Sequence, residues 1–324
     1  MTSQPTTQPH GGHHDDRRDH PHVNLRHALQ RQLSAAVRSA LRPSSYLGLV
    51  REVLLTSVHA ATYPFGLLPA PPFTPDPVMP AARRPVLLVH GWVHNRSAFL
   101  LMQRGLRRAG LGPLHTFEYA SFSGDLDAIA RTLGPVVEHL VDAAHSDTCV
   151  LVCHSMGGLI ARQYVQELGG DALVDTVVTL GTPHRGTYSA LWGFGHAAQQ
   201  CRPGSHYLRR LDRTARPVST RFISYYGDLD LMVTPAVSAK LTHPALRATN
   251  VRVRDTGHLS MLLSRWLLDD LIHRLDAPPD LTRPPRSLVP LRHSVDQIAH
   301  PTQVEDVELP GPQADGAAGP ATID

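Results

Sequence analysis

A serine hydroxyl becomes a nucleophile when an imidazole takes its proton and a carboxylate steadies that imidazole. One serine of this 324-residue chain sits in the context such chemistry needs. In Cys149-Val-Leu-Val-Cys-His-Ser155-Met-Gly157-Gly158, an apolar strand runs into a tight turn, and Leu159-Ile-Ala-Arg-Gln-Tyr164 reads as the helix behind it. Such a turn holds the serine in a strained conformation with its hydroxyl exposed. It also brings backbone close to backbone, so the residues two before and two after must be small. Gly157 meets the second condition. Cys153 occupies the first position, where the G-x-S-x-G motif has glycine; it is small but carries a Cβ.

The partners are expected downstream, carboxylate before imidazole, each in a loop just after a strand. Phe222–Tyr226 reads as a strand, and Gly227-Asp-Leu-Asp230-Leu-Met-Val-Thr-Pro235 follows it. Asp230 is the favoured carboxylate, with Asp228 competing two residues away. Val251–Arg254 reads as the next strand and leads through Asp255-Thr-Gly to His258, the expected base. Acyl transfer also needs two preorganised N–H donors for the oxyanion. The backbone of Met156, behind the elbow serine, supplies one. The other is assigned to Trp92, in the loop after Val86-Leu-Leu-Val-His90-Gly91. His90, Gly91 and His154 are expected to line the pocket.

These residues require strands that end at one rim. Short apolar runs recur at 85–89, 114–119, 148–153, 175–180, 220–226 and 250–254. Several are rich in Val and nearly free of polar residues, as strands buried on both faces are. Segments 96–109, 125–145 and 156–168 have the lengths and patterns of crossover helices. This alternation predicts an α/β fold: a doubly wound, mostly parallel sheet of about six strands within residues 81–276.

The flanks differ. Residues 1–22 hold five of the 21 histidines and read as a disordered, His-rich tail. Residues 23–80 read as amphipathic helices and a linker. Leu25, Leu29, Leu33, Val37 and Leu41 recur every four residues, with Arg26, Arg31, Arg38 and Arg42 between them, and a second helix is expected from about Tyr46 to Ala61. These helices have three candidate partners: the main domain, a second copy of the chain, or an anionic membrane surface. Residues 277–324 contain nine prolines in 48 residues and read as a disordered tail.

Composition narrows the field. Apolar residues make up 42% of the chain, enough for a full core. No run of about 18 apolar residues free of charge suggests a spanning helix. No early basic-then-apolar segment suggests a signal peptide, so a cytoplasmic protein, at most peripheral at a membrane, is expected. The net charge of +3 is spread along the chain and argues against nucleic acid. Three cysteines cannot form a complete disulfide framework and are expected to be reduced, mostly buried thiols. Neither metal-ligand spacing nor a phosphate loop is seen, so no metal or cofactor is expected.

On five blocks the sequence resembles the α/β-hydrolase superfamily, in particular bacterial lipases and carboxylesterases. The blocks are LLVHGW (87–92), VCHSMGGLIAR (152–162), VVTLGTPHRGT (177–187), YGDLDLMVTP (226–235) and TGHLSML (256–262). The resemblance covers about 84–275. It implies a serine ester hydrolase acting on small-molecule or lipid esters through a Ser155–His258–Asp230 triad. It also implies a small cap at about 188–218, where Leu191, Trp192 and Phe194 form either an apolar flap or part of the core. An acyltransferase or thioesterase would use the same triad. An interaction module with a vestigial pocket is the reading from another class.

Overall fold

The computed structural model describes residues 43–68, 84–122, 124–276 and 304–309. Seven strands form one parallel sheet: β1 Val86–Val89, β2 Leu114–Phe117, β3 Cys149–His154, β4 Val174–Leu180, β5 Arg221–Gly227, β6 Arg247–Val253 and β7 Val304–Leu309. They lie in the order β2-β1-β3-β4-β5-β6-β7. Every residue of β1, β3 and β4 is buried, as the near-continuous Val and Leu runs predict.

Successive side chains point to opposite faces, and each face meets its own helices. Leu87, Val89, Leu151, Cys153 and Val177 pack with helices α3 (Leu126–Ala143) and α4 (Gly157–Glu167). Val86, Leu88, Val150, Val152 and Val178 pack with α2 (Leu100–Arg108) and α7 (Arg265–Asp276). Two short helices, α5 (Gly195–Gln200) and α6 (His206–Arg213), fall inside the expected cap. Cys149, Cys153 and Cys201 are buried, as read from the sequence.

The chain leaves β1 for β2 on one side, then crosses back to β3 on the other. That reversal makes the carboxyl ends of β1 and β3 a topological switch point, where open α/β sheets bind their ligands. Gly91 follows β1 and Ser155 follows β3, so the two candidate site loops meet there.

Two differences from the sequence reading stand out. The sheet has seven strands, not about six, and the seventh lies in the stretch read as a disordered tail. β7 pairs with β6, and its Glu308 meets Arg252 and Arg254 while Asp306 meets Lys240. Its partners are distant in sequence, which is why local composition hid it. The second helix, α1, runs Pro43–Thr62, slightly beyond the expected 46–61. It packs on the main domain: Arg51 Nη2 donates to the Asp255 carbonyl at 2.9 Å, and Gly48 abuts Leu229. Tyr46, Leu47, Val53 and Leu54 remain exposed. Among the described residues, no helix is long and apolar enough to cross a membrane. Residues 1–42, where the His-rich tail and the first amphipathic helix are expected, lie outside the described residues, as does the rest of 277–324.

Candidate active site

Ser155 has φ 54°, the left-handed conformation expected of an elbow serine. Its N–H donates to the Leu180 carbonyl at 2.8 Å, and its own carbonyl accepts the Thr182 hydroxyl at 2.7 Å. Gly157 is obligatory: a Cβ there would lie 2.5 Å from the carbonyl oxygens of Val89 and His90. Gly158 is equally constrained, since a Cβ would lie 2.1 Å from the Thr182 hydroxyl oxygen. Cys153 lies within β3 opposite Val89, in the core, so its Cβ is accommodated. Burial raises its thiol well above the ordinary range and leaves it unreactive.

Asp230, rather than Asp228, meets His258. Its Oδ2 lies 2.8 Å from His258 Nδ1. Its Oδ1 accepts the backbone N–H groups of Met232 at 2.9 Å and Val233 at 2.7 Å, which fixes the carboxyl orientation. Asp228 turns instead to Arg252. Both members of the Asp230–His258 pair are buried. Burial lowers the pKa of His258, but the charge and hydrogen bond of Asp230, with the charge of Glu52, outweigh it and raise the ring above its ordinary value.

The turn after β4 ties this pair to the serine. A Cβ on Gly181, whose φ is +58°, would lie 3.0 Å from both Asp230 Oδ2 and His258 Nδ1. The residues on either side of Gly181 are Leu180 and Thr182, the two that bond the Ser155 backbone. Among the described residues, no hydrogen bond joins the Ser155 hydroxyl to the His258 ring. In a ligand-free site that contact is commonly loose and tightens around substrate.

On the other side, Gly91 brings the loop after β1 against Ser155. A Cβ there would lie 2.7 Å from Ser155 Cβ and 3.4 Å from His154 Nδ1. Met156 caps the amino end of α4, where the helix dipole favours negative charge. Among the described residues, neither the Trp92 nor the Met156 backbone N–H donates to a protein acceptor. Free donors on both flanks of a nucleophile are what an oxyanion requires. Val93, a β-branched residue with φ 54°, follows directly; strain in such loops costs about 1–3 kcal/mol and gathers at functional sites.

His90 and His154 do not line open space. Each is 1% exposed. His90 stacks on Tyr119 with ring centroids 4.2 Å apart, and the Tyr119 hydroxyl donates to the His90 carbonyl. The His154 ring lies 4.6 Å from that of His258, and its Nε2 is 3.3 Å from the His258 carbonyl. Burial lowers His90 to about 4 and, with neighbouring imidazoles, His94 to about 3. His154 is lowered well below the ordinary value by the same causes. These rings pack the floor of the site in the neutral form. The sequence marked His90 and His154 as pocket residues because a loop beside a nucleophile reads as a lining; the sheet edge buries them instead.

Leu191, Trp192 and Phe194 are exposed, Trp192 at 85%, so they are not core residues. The rest of the expected cap does pack inward, through Ala197, Cys201, Tyr207, Leu208 and Leu211. A cavity of about 640 Å³ opens beside the Trp92 loop. Val93, His94, Tyr119 and Phe122 line one side, and Tyr63, Leu67 and Leu68 from the segment after α1 line the other. Sequence reading placed Gly181 and Thr182 only within the block 177–187, without an individual role, and missed these amino-terminal residues. The second glycine of HSMGG was the available signal for Thr182, since it implies a close neighbour behind the elbow. Among the described residues, no group of three or more His, Cys, Asp or Glu is arranged to hold a metal ion.

The fold is that of the α/β hydrolases. The structure is similar to a mature Bacillus licheniformis lipase, with a TM-score of 0.53 and 17% identity over 64% of this chain and 96% of that one. It is also similar to Aspergillus fumigatus lipase B, with a TM-score of 0.55 and 16% identity over 66% of this chain and 58% of that one. The family model described as palmitoyl protein thioesterase matches residues 85–223. That match includes Gly91 and Ser155 and ends before Asp230 and His258.

A general base must be neutral to accept a proton. His90 is depressed to about 4 and His94 to about 3, whereas His258 is raised above its ordinary value, which makes it the candidate base on this floor. The expected pH profile of kcat/KM has one acid limb of unit slope, above the ordinary histidine value of 6.5. Activity is lost as pH falls through that limb. Replacing Asp230 with Asn removes the raising charge and moves the limb to lower pH, with a large fall in rate.

Proposed function

We propose that the protein is a serine carboxylic-ester hydrolase working through a covalent acyl-enzyme. The supporting observation is the Asp230–His258 contact of 2.8 Å, backed by the Gly181 turn that also holds the strained Ser155. His258 takes the Ser155 proton as the hydroxyl attacks the ester carbonyl. The Trp92 and Met156 N–H groups receive the developing oxyanion. His258 then returns the proton to the leaving alcohol, and water repeats the sequence on the acyl-enzyme. The cavity beside the Trp92 loop is lined by His94, Asn95, Glu118 and Ser121 as well as by Val93, Leu67, Leu68 and Phe122, and its apolar part offers a place for an acyl group.

The thioesterase reading shares every step except the leaving group, and the family match over 85–223 favours keeping it as the second reading. A fluorophosphonate probe is expected to label Ser155. Ser155→Ala should abolish labelling and reduce turnover of p-nitrophenyl esters by more than about a thousandfold. Labelling that survives the substitution would refute the assignment. Paired oxygen and sulfur esters of one acyl chain, from acetyl to palmitoyl, separate the two readings by kcat/KM.

We infer also that the outer face of α1 meets a lipid surface. Tyr46, Leu47, Val53 and Leu54 are exposed there, on the helix that leads into the segment walling the cavity. The sequence just before it carries Arg26, Arg31, Arg38 and Arg42, suited to anionic headgroups. Anionic vesicles are expected to sediment the protein, and Leu47→Glu with Leu54→Glu to weaken this. Equal recovery in the supernatant with and without vesicles would reject lipid contact.

A further inference from the structure

The helix α1 lies outside the region matched by the thioesterase family model, yet one of its side chains reaches the loop that carries His258. Glu52 Oε1 accepts the Leu259 N–H at 2.7 Å. Its Oε2 accepts the Ser260 N–H at 3.0 Å and the Ser260 hydroxyl. On the other flank the carboxylate rests against Gly257, where a Cβ would lie 2.4 Å from Oε2. One carboxylate thus bonds the backbone just after His258 and packs closely on the residue just before it. The neighbouring Arg51 holds the Asp255 carbonyl of the same loop. Asp255 itself has φ 49°, so the loop is strained where the helix clamps it.

We propose that Glu52 is a positioning residue for His258: α1 completes the active site by fixing the base through the backbone of residues 257–260. The proposal rests on the ester-hydrolase reading for its effect on turnover. The carboxylate takes up backbone N–H groups at the start of the short helical turn Ser260–Leu262, which would otherwise go without partners. A base displaced by about 1 Å loses on the order of a hundredfold in rate. The charge has a second effect. His258 faces Asp230 from the loop after β5, Glu52 from α1, His154 at the end of β3 and His94 in the loop after β1. Burial leaves the two imidazoles neutral, and Asp230 and Glu52 are the anions that raise the pKa of His258.

The glycine at 257 agrees with this arrangement, because any side chain there would displace the carboxylate. It also explains why the helix binds the domain by its polar residues while leaving apolar ones outside. Arg51 and Glu52 face the catalytic loop, whereas Leu47, Val53 and Leu54 are exposed.

The test uses the full chain and the variants Glu52→Gln, Glu52→Asp and Glu52→Ala, with Ser155→Ala as the inactive reference. The His258 ring is titrated by NMR in protein labelled in histidine, and kcat and KM are measured with p-nitrophenyl butyrate. Glu52→Gln keeps an acceptor and removes the charge, so the ring should titrate at lower pH than in the wild type. Its kcat should fall about tenfold with KM within about twofold. Glu52→Ala should lose more, and Glu52→Asp should recover part of the loss. If Glu52→Ala fails to fold, Glu52→Gln still decides. An unchanged titration and an unchanged kcat in Glu52→Gln would overturn the proposal while leaving the hydrolase intact. A wild-type chain that is inactive toward esters, but whose ring titration still responds to Glu52, would instead refute the hydrolase reading and leave the Glu52–His258 coupling standing.

Discussion

Three backbone turns approach one another at the carboxyl rim of the sheet more closely than side chains would permit. Gly91 packs against Ser155, Gly157 against the end of β1, and Gly181 against the Asp230–His258 pair. Every chemical feature of the site follows from that convergence. Ser155 takes a left-handed conformation there, the N–H groups of Trp92 and Met156 have no protein acceptor among the described residues, and Asp230 meets His258. The strain is affordable because the strands behind it, β1, β3 and β4, are buried along their whole lengths.

Electrostatics divide the labour among otherwise similar rings. Four histidines crowd the floor: His90, His94, His154 and His258. Burial without an anionic partner lowers the first three. Burial beside carboxylates raises the last. His258 is thereby distinguished from its neighbours by environment rather than by residue type, the usual way a protein tunes one imidazole among several. The amino-terminal helix takes part in this division through Glu52, which belongs to the site although it is about two hundred residues distant in sequence from the base.

Much of this was legible in the chain itself, and the reasons are specific. The sheet was readable because strands buried on both faces are written as unbroken runs such as Val86-Leu-Leu-Val89. The elbow was readable because strand, small residues and helix must follow one another without a gap. The positions of Asp230 and His258 just past strand ends foreshadowed their contact. β7 was not, because an edge strand of alternating charge is specified by Arg252, Arg254 and Lys240 on distant segments. The burial of His90 and His154 was hidden for a related reason: period-two alternation does not show how deeply the rim closes over a residue at a strand end. Glu52 left no local mark at all, since its partners are backbone N–H groups of another loop.

The central claim is geometric, and a crystal structure of the chain reacted with an alkyl phosphonate ester tests it most directly. The adduct should sit on Ser155 Oγ, with His258 Nε2 within about 3.2 Å of that oxygen or of the leaving-group position. The phosphonyl oxygen should accept hydrogen bonds from the N–H groups of Trp92 and Met156 at about 2.7–3.1 Å. A phosphonate attached elsewhere, or one on Ser155 with the His258 ring turned away and its oxygen facing solvent, would contradict it.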